Sequence, residues 1–254
     1  MAAGRPGVES RLDPPGHDDY RAWPGRSRTL TPTTAKDKEL LAIFDSLGKR
    51  LGSKPRARVH RDGDWHLVVF VLAAWRDASR AARILLQLRA APGDPYRGHV
   101  DVLAAGHVLA GESERDAARR ELREETGLEL SADELADLGG RCLENPTGVC
   151  RRVIQRFYLC PRPIRLEEVR LSAEVGGFLE AELGDFAELI DGKRALIRAR
   201  ARVPPESART REIDVTPEYL AAYSPQIIDS FRRSILASRR FLDTGHPDPA
   251  VWEA

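Results

Sequence analysis

The segment GHVLAGESERDAARRELREETGL, residues 106–128, constrains the chain more than any other stretch. It contains a run with helical periodicity that stops at Gly127, a natural C-terminal residue for a helix. On that helix Glu121 lies three residues before Glu124 and four before Glu125, so the three carboxylates point to one side. Like charges at these spacings repel each other, and a solvated helix gains nothing from them. The spacing therefore predicts a site for a cation.

Other residues of the same segment fit a cation site. Carboxylate oxygens suit Mg²⁺ or Mn²⁺, which usually keep several waters and take substrate phosphate oxygens as further ligands. Arg120 lies four residues before Glu124 and can hold that carboxylate in one rotamer. Gly106 lets the backbone approach closely, so its carbonyl is a further candidate ligand. An ordinary surface helix with Glu–Arg pairs is the simpler alternative for any single pair.

Composition excludes several classes of protein. The chain has 254 residues and is 42% hydrophobic, so it can bury a core. Its net charge of +1 gives no overall attraction to nucleic acid or acidic membranes. The cysteines are odd in number and form no CxxC pair, which argues against a disulfide framework and a zinc ribbon: Cys142, Cys150 and Cys160. No apolar run of about 18 residues occurs and the first residues lack a secretory signal, so a cytoplasmic protein without a membrane partner is expected.

Apolar patterning predicts alternating strands and helices. The near-continuous apolar run at 66–75 is typical of a central strand buried on both faces. Further strands or apolar strand-like segments are expected at 82–90, 98–108, 135–143 and 152–160. Helices are expected at 113–127, in the second half of 174–192 after a strand, and at about 225–241.

Three regions follow from these patterns. Residues 1–36 are rich in Pro, Gly and Arg without periodicity and are predicted to form a flexible arm. Residues 37–195 contain the motif and most predicted strands, and form the main domain. Residues 196–254 comprise a basic segment, a C-terminal helix and a tail. Because no aromatic residues are interleaved to stack on bases, the basic segment is predicted to be solvated surface, and a nucleic-acid partner is not expected.

The full spacing of the 106–128 segment resembles the Nudix box. In order, it has Gly106, five residues, Glu112, seven residues, Arg120-Glu121-Leu122, one residue, Glu124-Glu125, one residue and Gly127-Leu128. The chain is thus similar to Nudix hydrolases at every fixed position of the motif. This resemblance implies an α/β fold of the α+β kind, an α/β/α sandwich with a mixed sheet and a loop–helix–loop.

The resemblance implies a role for each motif residue. The metal ligands would be Glu121, Glu124, Glu125 and the carbonyl of Gly106. Arg120 would orient a carboxylate, Glu112 would fasten the loop to the helix, and Gly127 would close the helix. Glu174 heads a later strand, where many Nudix enzymes place another metal-binding or basic glutamate; an exposed loop acid is the alternative.

The implied activity is Mg²⁺-dependent attack of water on a phosphorus of a diphosphate, with Mn²⁺ as the alternative ion. The substrate would be a small nucleoside-diphosphate-linked or other organic diphosphate. The motif does not specify which one, and the three candidate base-stacking residues fit a core or a turn equally well: Trp65, Trp75 and Tyr96. A homodimer is left open, because dimers are common among Nudix proteins.

A second resemblance covers about residues 38–192. The stretches VHRDGDWH, ILLQLRA and GHVDVLAAGHVLAGES resemble bacterial and plant Nudix proteins related to isopentenyl-diphosphate isomerase. The isomerases bind a metal through three histidines and two glutamates, and they use a catalytic cysteine. Three histidines stand near the corresponding positions: His60, His66 and His107. Each could instead be a hydrogen-bonded core residue.

The chain departs from the isomerase pattern at three positions. Ala105 stands where the cysteine would be, and Arg151 and Val153 stand where the two glutamates would fall. Arginine cannot ligate a cation and valine offers no donor, so the sequence favours a hydrolase. The alternatives are an isomerase-like enzyme and a non-catalytic module that senses a nucleotide.

Overall fold

A computed structural model of the protein describes residues 35–91, 94–145, 151–204 and 209–253. The arm predicted for residues 1–36 lies outside the described residues up to position 34, and so does Cys150. Cys142 is exposed and Cys160 is buried, and neither forms a disulfide within the described residues.

Strand β3, His66–Arg76, organises the sheet and occupies the apolar run that predicts a central strand. Along one edge it pairs antiparallel with β4, Ala82–Arg89, and with β6, Ala104–His107. Along the other edge it pairs in parallel with β8, Arg152–Cys160. Because neighbours cover both edges and both faces, almost every side chain of β3 packs against protein, which explains its apolar sequence.

Within the described residues, nine strands form the large sheet. The other members are β5, Val100–Asp101, β7, Ala136–Glu144, β9, Val175–Glu182, β10, Ile197–Arg202, and β11, Arg211–Val215. The order is β11-β10-β9-β4-β3-β8-β7, with β5 beside β4 and β6 beside β3. The segment 98–108, expected as one apolar stretch, forms two short strands, because the chain leaves β4 after Asp101 and joins β3 at Ala104.

Helices cover both faces of the large sheet. On one face α2, Glu114–Thr126, shares a core with alternate strand residues such as Val71 and Leu85. On the other face α3, Leu183–Ile190, and α4, Pro225–Thr244, share a core with Leu72 and Leu86 among others. The mixed sheet between two helical layers confirms the predicted fold class. None of the helices in the described ranges has the length and apolarity needed to cross a bilayer.

A small separate unit precedes β3. Strands β1, Leu40–Phe44, and β2, Arg50–Pro55, form an antiparallel hairpin, and α1, Arg56–Asp62, follows at once. Isolated bridges join Leu41 to Leu109 and Phe44 to Trp65. The hairpin is thereby attached to the motif loop on one side and to the start of β3 on the other.

The sheet continues beyond residue 195, where the sequence places the end of the main domain. The basic stretch IRARAR forms β10, with Ile197, Ala199 and Ala201 buried and the arginines between them more exposed. This alternation is the period of a strand with one buried face. Residues 225–244, α4, then pack on the same core, so the C-terminal region adds to the sandwich rather than standing apart.

We expect Gly140→Ala in β7 to lower the free energy of unfolding by about 2 kcal/mol or more, because overpacking against backbone is not relieved by a rotamer change. A Cβ at this position would lie 1.9 Å from the carbonyl oxygen of Gln155. Urea unfolding followed by circular dichroism measures the change. The matched control is Gly184→Ala in α3, whose Cβ would have its nearest neighbour at 3.9 Å. Equal unfolding midpoints for the two variants would contradict the packing argument.

Candidate active site

Helix α2 carries the motif carboxylates and has well-defined ends. The Ser113 hydroxyl accepts the backbone N–H of Asp116 over 3.1 Å at the start of the helix. Gly127 closes the helix in the left-handed region at φ 75°. The residues that pack α2 on the sheet are fully buried: Ala117, Ala118 and Leu122. These bounds agree with the predicted helix to within one residue at each end.

Arg120 connects the motif loop to the helix. Its Nε and Nη2 donate to the two oxygens of Glu112 over 2.8 and 2.9 Å. Nη2 also donates to the carbonyl of His107 over 2.9 Å. Nη1 donates to Oε1 of Glu121 over 2.6 Å and lies 3.6 Å from an oxygen of Glu124. Arg120 therefore contacts Glu112 and Glu121 more closely than it contacts Glu124. The sequence had suggested Glu124 as the carboxylate that Arg120 would orient.

Glu112 contacts both the motif loop and the helix. Besides its bidentate bond to Arg120, its Oε2 accepts the backbone N–H of Leu109 over 3.0 Å. The carboxylate of Glu112, neutralised by the guanidinium of Arg120, thus holds the loop between Gly106 and the helix.

Gly106 is required by close approach. A Cβ at this position would lie 2.0 Å from Cδ and Oε1 of Glu121. The helix carboxylate therefore rests directly against the backbone of β6. The carbonyl of Gly106 belongs to that backbone.

Two of the three helix carboxylates are buried. Glu121 and Glu125 are each 8% exposed, whereas the side chain of Glu124 is 48% exposed. Burial raises the pKa of Glu121, although the charge of Arg120 acts in the opposite direction. Burial, and then the charge of Glu121, raise the pKa of Glu125 to about 8. A hard cation placed among these oxygens would relieve both effects, so the donor set fits Mg²⁺ or Mn²⁺.

Glu125 is held by a strand that lies far from it in sequence. Its Oε2 accepts a hydrogen bond of 2.7 Å from Nε2 of Gln87 in β4. Within the described residues Glu125 has no ion-pair partner, in contrast to Glu112 and Glu121. Gln87 was not among the residues predicted for the site, although a single glutamine within the apolar run ILLQLRA was a signal that could have identified it.

Glu174 lies just before β9, at the end of a loop that is fixed to α2. The backbone N–H of Arg170 in that loop donates to the carbonyl of Thr126 over 2.7 Å. Glu174 is about half exposed and accepts a hydrogen bond from the ammonium of Lys36. The charge of Lys36 also favours the ionised form of Glu121, so one lysine links Glu174 electrostatically to the helix carboxylates. Lys36 was also missed, because nothing in the sequence connects it to the motif.

The three histidines form one cluster. His60 comes from α1, His66 from β3 and His107 from β6, and their ligand nitrogens all lie within 4.8 Å of one another. Nε2 of His60 is 2.9 Å from Nε2 of His107. Nδ1 of His66 is 2.9 Å from the carbonyl of Asp64, and its buried Nε2 has no hydrogen-bond partner within the described residues. Three convergent nitrogens with one buried and unsatisfied are suited to a metal ion.

Burial keeps these histidines neutral. It lowers the pKa of His60 to about 4, and it also lowers the pKa values of His66 and His107. Neutral imidazole is the form that ligates metals. The charge of the Arg56 guanidinium acts in the same direction on all three rings.

The positions that depart from the isomerase pattern contribute no ligand. Val153 pairs with His66 in the sheet and is buried. Arg151 donates through Nη2 to the carbonyl of Arg61 over 2.6 Å. Among the described residues no carboxylate or thiol joins the histidine cluster. Ala105, in the cysteine position, packs against the core.

The three aromatic residues that were considered for base stacking contact other parts of the protein. Trp75 is buried in the core beneath α2. Tyr96 stacks on Tyr223 with ring centroids 4.7 Å apart. Trp65 bridges to Phe44 of the hairpin. These contacts favour the structural alternative that the sequence left open for each.

The raised pKa of Glu125 predicts a pH dependence of stability. In protein freed of metal by chelation, the native carboxyl keeps its proton up to about pH 8, whereas the unfolded chain loses it near the usual value of 4.5. The native state therefore binds more protons in this window, and its stability falls as pH rises from about 5 to about 8. We expect Glu125→Gln to remove this decline. Urea unfolding of both proteins across the window measures it.

The matched control for this measurement is Glu129→Gln, because Glu129 is exposed just beyond the helix. Its stability should keep a constant offset from wild type across the same pH range. A constant offset for Glu125→Gln as well would contradict the burial argument.

Comparison with known proteins identifies the family. The NUDIX domain matches residues 64–201, more than half of the chain. Nudix hydrolase 3 of Arabidopsis thaliana is 34% identical over 143 residues, which are 54% of this chain and 18% of that protein. An uncharacterized Nudix hydrolase of Clostridium acetobutylicum is 29% identical over 161 residues, covering 62% of this chain and 76% of the relative.

The chain thus spans less than a fifth of the Arabidopsis relative. Among solved structures, DR0079 from Deinococcus radiodurans has a TM-score of 0.46 and 18% identity, over 61% of this chain and 90% of that one. The matched residues 64–201 include the whole motif, β3 and β8 on either side of it, and Gln87. With the extent of this match and an unbroken motif, the chain belongs to the Nudix hydrolase family.

Proposed function

We propose that the protein is a Mg²⁺-dependent Nudix hydrolase that cleaves the diphosphate linkage of a small organic diphosphate. Nucleoside-diphosphate-linked compounds are the first class to test. The observation that carries the proposal is the pair of buried carboxylates, Glu121 and Glu125. Arg120 pairs with Glu121, whereas Glu125 accepts a hydrogen bond from the neutral Gln87 and has no ion-pair partner among the described residues. Such a pair costs free energy unless a ligand neutralises it.

Glu121, Glu124 and Glu125 would hold the cation together with the carbonyl of Gly106. The bound ion would offset phosphate charge, make an attacking water a better nucleophile and align the leaving oxygen. Mn²⁺ has similar ligand preferences and is the alternative ion.

The protein's own groups orient the ligands and move the proton. Arg120 and Gln87 fix the carboxylates before substrate arrives, which removes the cost of ordering them during the reaction. Two carboxylates are candidates to accept the proton of the attacking water. Since the pKa of Glu125 is raised to about 8, its ionised carboxylate is a strong proton acceptor, and Glu174 is exposed enough to meet a water. Glu174→Gln would distinguish them, because it should leave metal binding intact.

The proposal includes a cellular setting. Free thiols at Cys142 and Cys160 suit a reducing compartment, so the cytoplasm is the expected location. The partner is the small-molecule substrate. Neither a nucleic acid nor a membrane is part of the proposal, and a homodimer is a separate question for sedimentation.

The second candidate function is an isomerase of a prenyl diphosphate. The observation that favours it is the cluster of His60, His66 and His107. Against it stand Ala105 and the side chains of Arg151 and Val153, which supply neither the thiol nor the carboxylates of the isomerase pattern. Conversion of isopentenyl to dimethylallyl diphosphate, followed by NMR, would establish this function in place of the hydrolase.

The first test is a phosphate-release screen with Mg²⁺ and with Mn²⁺. It covers nucleoside triphosphates, dinucleoside polyphosphates, ADP-sugars, NADH, coenzyme A and prenyl diphosphates. We expect metal-dependent turnover of one class, and we expect Glu125→Gln to slow it by roughly a hundredfold or more because a group that acts in the transition state is lost.

Glu129→Gln is the matched control in the screen and should keep wild-type activity. Wild-type rates in Glu125→Gln would refute the assignment of the site. Tight binding of a diphosphate by wild type with no turnover in saturating Mg²⁺ would instead favour a nucleotide-sensing module.

We also expect the histidine cluster to hold a transition metal such as Zn²⁺, with about one equivalent per chain retained after dialysis. The double variant His60→Ala, His107→Ala should lose it, because one remaining imidazole is too few ligands. Metal content is measured by plasma mass spectrometry. The control is His246→Ala, an exposed histidine after α4. Equal metal content in both variants would show that the cluster is only a packed core.

A further inference from the structure

Gln87 is a buried polar side chain in an otherwise apolar part of β4. It is 2% exposed and lies between Leu86 and Leu88, which are also buried. Burying an amide costs free energy unless it forms hydrogen bonds. The bond of 2.7 Å from its Nε2 to Oε2 of Glu125 supplies one. This contact gives the amide a partner at a position between two buried leucines.

The neutrality of the amide matters for a cation site. A lysine or arginine at position 87 would form an ion pair with Glu125 and compete with a cation for it. Gln87 donates a hydrogen bond without cancelling the charge. The nearest guanidinium on the same strand, Arg89, gives its hydrogen bonds to Asp94 and Asp101. Glu125 is therefore oriented while it stays available to a metal.

Strand β4 is a rigid support for this contact. It is hydrogen-bonded to β3, β5 and β9, so its backbone has partners on both edges. Gln87 itself is in register with Asp101 of β5 and Phe178 of β9. Because the backbone of Gln87 is fixed by the sheet and its amide by a hydrogen bond, it restricts the orientation of Glu125 more than an exposed side chain would.

We propose that Gln87 is a positioning residue for the metal-binding carboxylate of Glu125. Its amide fixes Oε2 and thereby sets the plane of the carboxylate, which leaves Oε1 for the cation. Outer partners of metal ligands commonly contribute about 10- to 100-fold to metal affinity or activity. The inference rests on the proposed function, in which Glu125 binds the metal.

The test compares two buried glutamines of the same sheet. Gln87→Met removes the donor and nearly keeps length and volume. Gln155→Met is the matched control, because Gln155 is 4% exposed in β8 and accepts a hydrogen bond from Ser230 of α4 instead. Mn²⁺ binding to the full chain is measured by calorimetry without substrate. We expect Gln87→Met to weaken Mn²⁺ affinity by about tenfold or more and Gln155→Met to leave it unchanged.

Melting temperatures separate positioning from stability, because both variants lose one buried hydrogen bond and should fall by similar amounts. Equal Mn²⁺ affinities in the two variants would overturn the inference. If Gln87→Met does not fold, Gln87→Asn takes its place, since it keeps an amide but withdraws it by one methylene. An unchanged affinity in that variant would overturn the inference equally.

Turnover provides a second readout on the substrate found in the screen. We expect Gln87→Met to lower kcat with little change in KM, as for a group that acts through the metal ligand. Failure of the proposed function is distinguishable. A wild type whose Mn²⁺ affinity depends on both Glu125 and Gln87, but which hydrolyses no diphosphate, refutes the hydrolase and supports the positioning role. An active wild type with Gln87→Met unchanged in both readouts refutes the positioning role alone.

Discussion

The burial of two neighbouring carboxylates is the constraint on which the site depends. Glu121 and Glu125 lie one helical turn apart on α2 and both are nearly inaccessible to water. Burial raises the pKa of each, and the charge of Glu121 raises the pKa of Glu125 further. A fold tolerates this only if the helix is anchored strongly elsewhere. The anchors are the apolar side of α2, packed on β3, and the Arg120 guanidinium, which ties the helix to Glu112 and to the backbone of β6. The favourable free energy of packing one side of the helix offsets the unfavourable free energy of burying carboxylates on its other side.

A charged side chain supports one buried carboxylate of the site and a neutral side chain supports the other. Arg120 neutralises Glu112 and contacts Glu121, which fixes the loop and one carboxylate firmly. Gln87 holds Glu125 without neutralising it. A cation at the site would therefore share Glu121 with Arg120, whereas no arginine forms a hydrogen bond with Glu125 among the described residues. The exposed Glu124 completes the set from the solvent side.

Local features were predictable from the sequence and long-range contacts were not. The spacing of Glu121, Glu124 and Glu125 predicts their common face, and Gly127 predicts the helix end, because both depend on residues within a few positions of each other. The apolar run at 66–75 predicts β3 for the same reason. The contacts of Gln87 and Lys36 join segments 38 and 138 residues apart, and no pattern in one chain encodes such a pairing. The alternation of apolar residues and arginines in β10 is visible in the sequence and is typical of a strand. The stretch was interpreted as a basic surface segment because arginines make up half of it.

The parallel pairing of β3 with β8 has a consequence for the motif as a unit. The residues between these strands form a long crossover, and α2 lies within it. Arg120 orients Glu112 and Glu121 from within the motif, whereas the amide that orients Glu125 comes from Gln87 of β4. A Nudix box transplanted alone into another protein would keep its glutamates and Arg120 but lose the hydrogen bond from Gln87 to Glu125. The geometry of the site is therefore shared between the motif, which the sequence reveals, and the sheet that supports it.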